Sequence, residues 1–176
     1  MIQLVFAHNG YNFGSENGMP WKHISEDFKN FKMRTENSTL VMGAKTFESL
    51  PSILKGRKHI VVCDPTRTRP VCKSGEMAHQ YVSINGFERI MENHVYADKI
   101  ISVIGGKDLL EKALHYATFV VKTKIKTCPI EASQFKITQW LSTKFLNKIE
   151  SMSIVEENRV IIDSTTSINE QIFKRK

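Results

Sequence analysis

Short apolar runs, each handed on to a turn and then to a helix, limit this chain more than any other feature. Residues 2–7 (IQLVFA), 39–42 (TLVM), 59–63 (HIVVC) and 99–104 (KIISVI) are the runs in question. Runs of this kind read as strands buried on both faces, a pattern that belongs to parallel sheets covered by helices. Gly43 follows Met42 and leads into a helical pattern ended by Pro51; Gly105 and Gly106 follow Ile104 and lead into a helix over residues 107–115. A strand that passes through glycine into a helix aims backbone N–H groups outward at its carboxyl end, where anions bind. The order β, α, β, α, β, then βα, βα, β and a hairpin predicts an α/β fold. Its central sheet is mostly parallel, with an antiparallel C-terminal hairpin and flanking helices. With 176 residues, no repeat and no linker, a single domain over residues 1–176 is expected.

The remaining segments fit around these runs. Residues 81–84 read as a short strand and 87–93 as a helix. In residues 118–126, Lys122, Lys124 and Lys126 alternate with Val121, Thr123 and Ile125. That predicts an outer-facing strand with one wet face and with Thr123 on its apolar side. Residues 128–148 read as loop plus a short helix around 138–145. Residues 149–155 and 159–163 read as a hairpin turning at Glu156, Glu157 and Asn158, with residues 168–173 extending or following it.

Composition narrows the partners. No run of about 18 apolar residues occurs, so no membrane helix is expected. Residues 1–8 lack the basic start of a leader and read as a strand. Cys63, Cys72 and Cys128 are scattered without a CxxC pair, which fits a reduced, cytoplasmic setting. The six histidines are scattered too, so no metal site is expected. The net charge of +7 attracts anions. The basic residues are spread along the chain without a nucleic-acid fingerprint, so small anionic ligands are expected rather than nucleic acid.

Residues 14–32, GSENGMPWKHISEDFKNFK, carry the most chemistry. A glycine-rich loop over residues 9–21 precedes a helix over 25–33, for which Ser25 can serve as cap. Asp27 lies in the first turn, and Phe28 and Phe31 are near it on one helix face. A carboxylate beside aromatic surface under a loop suits a flat, polar-edged ring; a plain dipole partner is the alternative. Lys45 and Thr46, after Gly43, form a plausible phosphate site. Arg57 ends the loop after Pro51.

Taken together, FGSENGMPW, DFKNFK, VMGAKTFESLP, LKGRKHIVV, VIGG before a helix and the strand of Thr123 resemble the dihydrofolate reductases. The match runs from the first strand through Thr123, in the style of the short reductases of large bacteriophages. The resemblance implies NADPH-dependent reduction of 7,8-dihydrofolate to tetrahydrofolate, with the chain in the cytoplasm, a host's cytoplasm if phage-encoded. It implies catalytic roles for Asp27, Trp21 and Thr123: Asp27 gripping the pterin edge, Trp21 holding a water, Thr123 bonding Asp27 and the pterin. Substrate contacts fall to Val5, Phe28, Phe31, Lys32 and Ile104, with Leu50 and Leu54 against the aminobenzoyl ring and Arg57 on the glutamate carboxylate.

For the cofactor, the resemblance implies Ala7, Phe13, Gly14, Asn17, Gly18 and Met19 at the nicotinamide end, where loop 9–21 closes. It implies Gly43, Lys45, Thr46, Gly105, Gly106 and Lys107 near the phosphates, and Cys63 and Asp64 beyond. Antifolates such as methotrexate are implied as ligands through Asp27. Ala44 and Asp64 depart from the family pattern and leave the strictness of NADPH over NADH open, and a homo-oligomer is also left open. A fold-related pyrimidine reductase, or a binding protein that kept the fold, are the competing readings.

Overall fold

The computed structural model describes residues 1–94 and 99–176. In chain order the elements are β1 (Ile2–His8), β2 (Asn12–Ser15), α1 (Ser25–Arg34), β3 (Thr39–Gly43), α2 (Ala44–Ser49), β4 (Lys58–Val62), β5 (Gln80–Val82) and α3 (Ile84–His94). There follow β6 (Ile101–Gly105), α4 (Lys107–Ala113), β7 (Phe119–Lys126), α5 (Pro129–Ala132), β8 (Ile137–Trp140), α6 (Thr143–Glu150), β9 (Ser153–Ile161) and β10 (Ser167–Lys174). These form two compact units, one of residues 1–4 and 35–118, the other of residues 5–34 and 119–176.

The first unit holds the parallel strands that the apolar runs predict. Their order is β5-β4-β3-β6-β1, with β3 paired to β4 from Thr39↔Lys58 to Gly43↔Val62 and β1 to β6 from Ile2↔Ile101. Leu40, Val41, Met42, Val61 and Val103 are completely buried, as both-face burial of such strands requires. Polar groups inside this unit form one connected chain. Gln3 Nε2 donates to Ser102 Oγ at 2.8 Å, Ser102 Oγ to Ser38 Oγ at 2.8 Å, and Ser38 Oγ to the Thr35 carbonyl at 2.8 Å. The same carbonyl accepts from Arg57 Nε at 2.9 Å. His59 is a satisfied core histidine: its Nε2 accepts the Leu54 N–H at 3.2 Å and its Nδ1 meets the Arg57 carbonyl at 3.0 Å. A carbonyl only accepts, so Nδ1 carries the hydrogen and the ring is neutral; burial holds its pKa below the ordinary value.

The second unit corrects three expectations. First, β7 has no continuous wet face. It pairs antiparallel with β10, and Lys122 is buried, its Nζ 3.1 Å from Glu150 Oε1 of α6 and 4.9 Å from the Phe173 ring centre. The helix that covers this face was not foreseen at its actual place. Second, the terminal hairpin turns later. β9 runs straight through Glu156, Glu157 and Asn158, where Glu157 accepts the side-chain amides of Asn169 and Gln171 at 2.8 Å each. The turn forms instead at Asp163, whose Oδ1 accepts the N–H groups of Thr165 and Thr166 at 2.7 and 2.8 Å. Third, residues 9–21 contain a strand: β2 pairs with β8, Asn12↔Trp140 to Ser15↔Ile137. Residues 128–148 thus supply α5, β8 and the start of α6, rather than loop and one helix.

Candidate active site

α1 begins at Ser25, so Ser25 is its first residue and not its cap; the Phe28 N–H bonds the Ile24 carbonyl at 3.1 Å. The one buried residue of this helix is not a hydrocarbon but Asp27, 8% exposed. Among the described residues its carboxylate has no hydrogen-bond partner, an expensive state for a buried polar group. Burial, and secondarily the charge of Glu170, push its pKa up to about 6 from 3.8. Phe28 and Phe31 stack beside it, ring centres 6.2 Å apart and planes 16° apart, both half-buried. Lys32 lies over the Phe28 ring at 4.4 Å.

Trp21 is 4% exposed and packs with Ile24, Ile125 and Ile168, while its buried indole Nε1 has no partner among the described residues. Thr123 is 5% exposed and lies two residues before Ile125 on β7, hence on the same sheet face. Val5 is buried and Ala7 partly buried, two apart on β1; Ala7 packs on the Trp21 cluster. The second unit holds Asp27, Trp21, Thr123, Val5, Phe28, Phe31 and Lys32; of these, Trp21 shares a cluster with Ile125 of β7 and Ala7 of β1, and Phe28, Phe31 and Lys32 form a stack of their own on α1. The expected direct bond between Thr123 and Asp27 is not formed among the described residues.

The loop is more ordered than a bare flap. Ser15 N–H and Oγ reach the Gly18 carbonyl at 2.7 and 3.0 Å, and Glu16 meets Lys136 Nζ at 2.6 Å. A Cβ on Gly14 would stand 3.3 Å from Gln139 Cβ, so the β2–β8 pairing leaves little room there. Asn17 and Met19 are exposed, while Phe13 is half-buried with its ring 6.3 Å from that of Phe6.

In the first unit, Gly105 ends β6 with φ +154°, and a Cβ there would lie 2.7 Å from Thr46 Oγ1. Gly43 lies beside it: its Cβ would stand 3.6 Å from the Gly106 nitrogen. Gly106 faces open space within 4 Å and leads directly into Lys107 of α4. Two strand-to-helix junctions therefore meet backbone to backbone, leaving a glycine surface a phosphate can approach. Lys45 is exposed; Ile104, Leu50 and Leu54 are buried. Arg57 is braced by the carbonyls of Thr35 and Lys55 at 2.9 and 3.2 Å. Asp64 is exposed and accepts from Thr66 N and Oγ1 at 2.9 and 2.7 Å, which holds its pKa below the ordinary value. Arg67 lies 3.6 Å from it, a local counter-charge. Cys63 is half-buried, and burial raises its thiol pKa.

Glu170 and Arg34 were missed by sequence reasoning. Glu170 is 2% exposed and accepts from Arg34 Nε and Nη2 at 3.1 and 2.7 Å. The signal lay in the period of β10: Ile168, Glu170 and Ile172 share a face, so an acid interrupts an apolar row. A cavity of about 420 Å³ opens on the other face of β7 and β10, lined by His8, Lys122, Glu150 and Asn169 among others. None of the expected site residues lines it.

The family model described as dihydrofolate reductase matches residues 1–163. Dihydrofolate reductase type A10 of Escherichia coli is 31% identical over 182 residues, covering 99% of this chain and 92% of its own length. Dihydrofolate reductase type 9 of Escherichia coli is 30% identical over 154 residues, covering 85% of this chain and 84% of its own. Among solved structures, dihydrofolate reductase from Enterococcus faecalis, complexed with NADP(H) and RAB-propyl, is similar with a TM-score of 0.77. It is 19% identical, and the match covers 100% of this chain and 97% of that one, which shows a shared fold.

Proposed function

The chain belongs to the dihydrofolate reductase family, and from that premise we propose that Asp27 is the acid around which it reduces 7,8-dihydrofolate to tetrahydrofolate with NADPH. The observation that carries this is a buried carboxylate without a hydrogen-bond partner among the described residues, at a position matching the family motif. A pterin edge offers two N–H donors, an amino group and a ring N–H, and a carboxylate accepts both. The same negative charge favours the cationic ring that forms when N5 takes a proton. Trp21 presents, in the same unit, an indole N–H without a partner among the described residues, suited to hold a water. Thr123 offers a buried hydroxyl on the sheet face that carries Ile125 and, across the strand pair, Glu170. Phe28 and Phe31 exclude water from the ring.

NADPH, when bound, supplies the hydride that arrives at C6. The glycine junction fits it: Gly105 tolerates no side chain against Thr46, and Gly106 leaves its backbone open to a phosphate. We assign Gly43, Lys45, Thr46, Gly105, Gly106 and Lys107 to that role, and Ala7, Phe13, Gly14, Asn17, Gly18 and Met19 to the nicotinamide end. Leu50, Leu54 and Ile104 are assigned apolar substrate contacts. Arg57, braced by carbonyls, is assigned the substrate's glutamate carboxylate. Asp64 is turned toward Thr66 and Arg67, which supports retention of a phosphate-bearing cofactor despite its charge. We read the chain as one working domain that also binds antifolates such as methotrexate. No helix among the described residues is long and apolar enough to cross a membrane. A cytoplasmic site of action, in a host cell if the chain is phage-encoded, is part of the same reading.

The test is loss of NADPH absorbance on adding dihydrofolate, repeated with NADH and with a riboflavin-precursor pyrimidine. Turnover with dihydrofolate and NADPH is expected. Turnover of the pyrimidine alone would overturn the assignment.

A further inference from the structure

The face of β7 and β10 that turns away from Thr123 carries a polar cluster of its own. Lys122 and Lys124 on β7 stand directly across from Gln171 and Asn169 on β10. β1 lies next to β7, and its Ala7 packs toward Trp21, so Phe6 and His8 point to the opposite side. α6 covers that side: the Phe6 and Phe145 ring centres are 5.6 Å apart, and Thr143, Asn147 and Glu150 share one helix face. The cavity of about 420 Å³ is lined by this sheet face and by α6, and its volume suits a small organic ligand.

Two residues of this lining hold acceptors that ask for a donor. His8 is 4% exposed, and its Nδ1 meets the Gly10 carbonyl at 2.6 Å. A carbonyl only accepts, so Nδ1 carries the hydrogen. Burial holds the ring's pKa below its ordinary value, which keeps it neutral and leaves Nε2 a lone-pair acceptor. Neither Nε2 nor the buried Asn169 Oδ1 has a hydrogen-bond partner among the described residues, and such groups are costly to leave unmatched. The charges are uneven as well. Glu150 pairs Lys122 at 3.1 Å, and Glu157, outside the lining, accepts the side-chain amides of Asn169 and Gln171. Lys124 is exposed and forms no ion pair among the described residues.

We propose that this cavity is a further ligand site, one that takes a small polyhydroxylated anion, either a sugar phosphate or a sugar acid. Hydroxyls of that ligand donate to His8 Nε2 and Asn169 Oδ1, and its anionic group meets Lys124. A ligand that has charge but no donor leaves both acceptors unmatched; one that has donors but no charge leaves the lysine unpaired. None of the residues assigned to folate or NADPH lines the cavity, so the proposal stands whether or not the chain turns over dihydrofolate.

The experiment is an NMR titration of the full chain carrying ¹⁵N-labelled histidine, with sorbitol 6-phosphate, gluconate, sulfate and sorbitol added in turn. The His8 ring nitrogens report, so that binding at the glycine junction is not mistaken for binding here. Saturable binding of sorbitol 6-phosphate or gluconate is expected, with the His8 Nε2 signal moving upfield as a donor arrives; the tighter of the two identifies the anionic group. Sulfate and sorbitol should each bind at least about tenfold more weakly. Lys124→Met changes an exposed side chain and should weaken the anion about threefold to tenfold. His8→Phe keeps a ring, removes the acceptor and assigns the signal; where it folds, calorimetry should show affinity lower by about fivefold or more. An unmoved His8 signal at about 10 mM of both hydroxylated anions overturns the proposal. So does sulfate binding as tightly as they do, or an affinity that Lys124→Met leaves unchanged.

Discussion

Asp27 holds its proton more tightly in the folded chain than in the unfolded one, and that has a stability cost. Its folded pKa of about 6 exceeds the ordinary 3.8, so the folded state is favoured below pH 3.8 and that advantage is lost as pH rises through 6. At neutral pH the ionised group destabilises the fold by on the order of 3 kcal/mol, at one pH unit per 1.36 kcal/mol. Asp27→Asn should therefore raise the urea midpoint at pH 7, by less near pH 4, while cutting dihydrofolate turnover about a hundredfold. Equal midpoints at pH 7 would show that burial is not straining this acid. Thr123→Val separates chemistry from structure in the same way. Its hydroxyl has no partner among the described residues, so stability should change by less than about 1 kcal/mol. Turnover should fall by about tenfold. Stability lost without loss of turnover would make Thr123 a packing residue.

Among the elements, the β6–α4 junction is the least tolerant. Gly105→Ala combines φ +154° with a contact at 2.7 Å to Thr46 Oγ1. It should weaken NADPH binding more than tenfold by fluorescence titration and lower stability by about 1–3 kcal/mol. The same change at Gly106, where nothing lies within 4 Å, should disturb folding far less. Elements like these were readable because both-face burial writes an apolar run and a glycine turn into the chain. The parallel strands and the Asp27 helix appeared at their expected places for that reason. What was unreadable depended on partners far along the chain. β2 is a strand only because β8 pairs with it, and its own residues signal a loop. Lys122 looks solvated until α6 covers it with Glu150. Glu156 and Glu157 look like a turn until β10 supplies amides opposite them. Glu170 looks like a surface charge until Arg34 arrives from α1.

For the molecule as a whole, charge and a buried polar chain set the terms. A net charge of +7 faces two anionic ligands. Raising salt from about 0.05 to 0.5 M should increase KM for dihydrofolate and for NADPH several-fold with little change in kcat. A KM indifferent to salt would mean the excess charge plays no part in capture. The hydroxyl relay beneath Arg57 has a different consequence. It begins at Gln3, 99 positions from Ser102, and ends at the carbonyl that steadies the guanidinium. Ser102→Ala would strand two groups at once and loosen a side chain that neither residue touches. A genetic screen for altered appetite toward long, many-glutamate folates should thus recover hits at residues 3, 38 and 102, none of which the ligand ever meets.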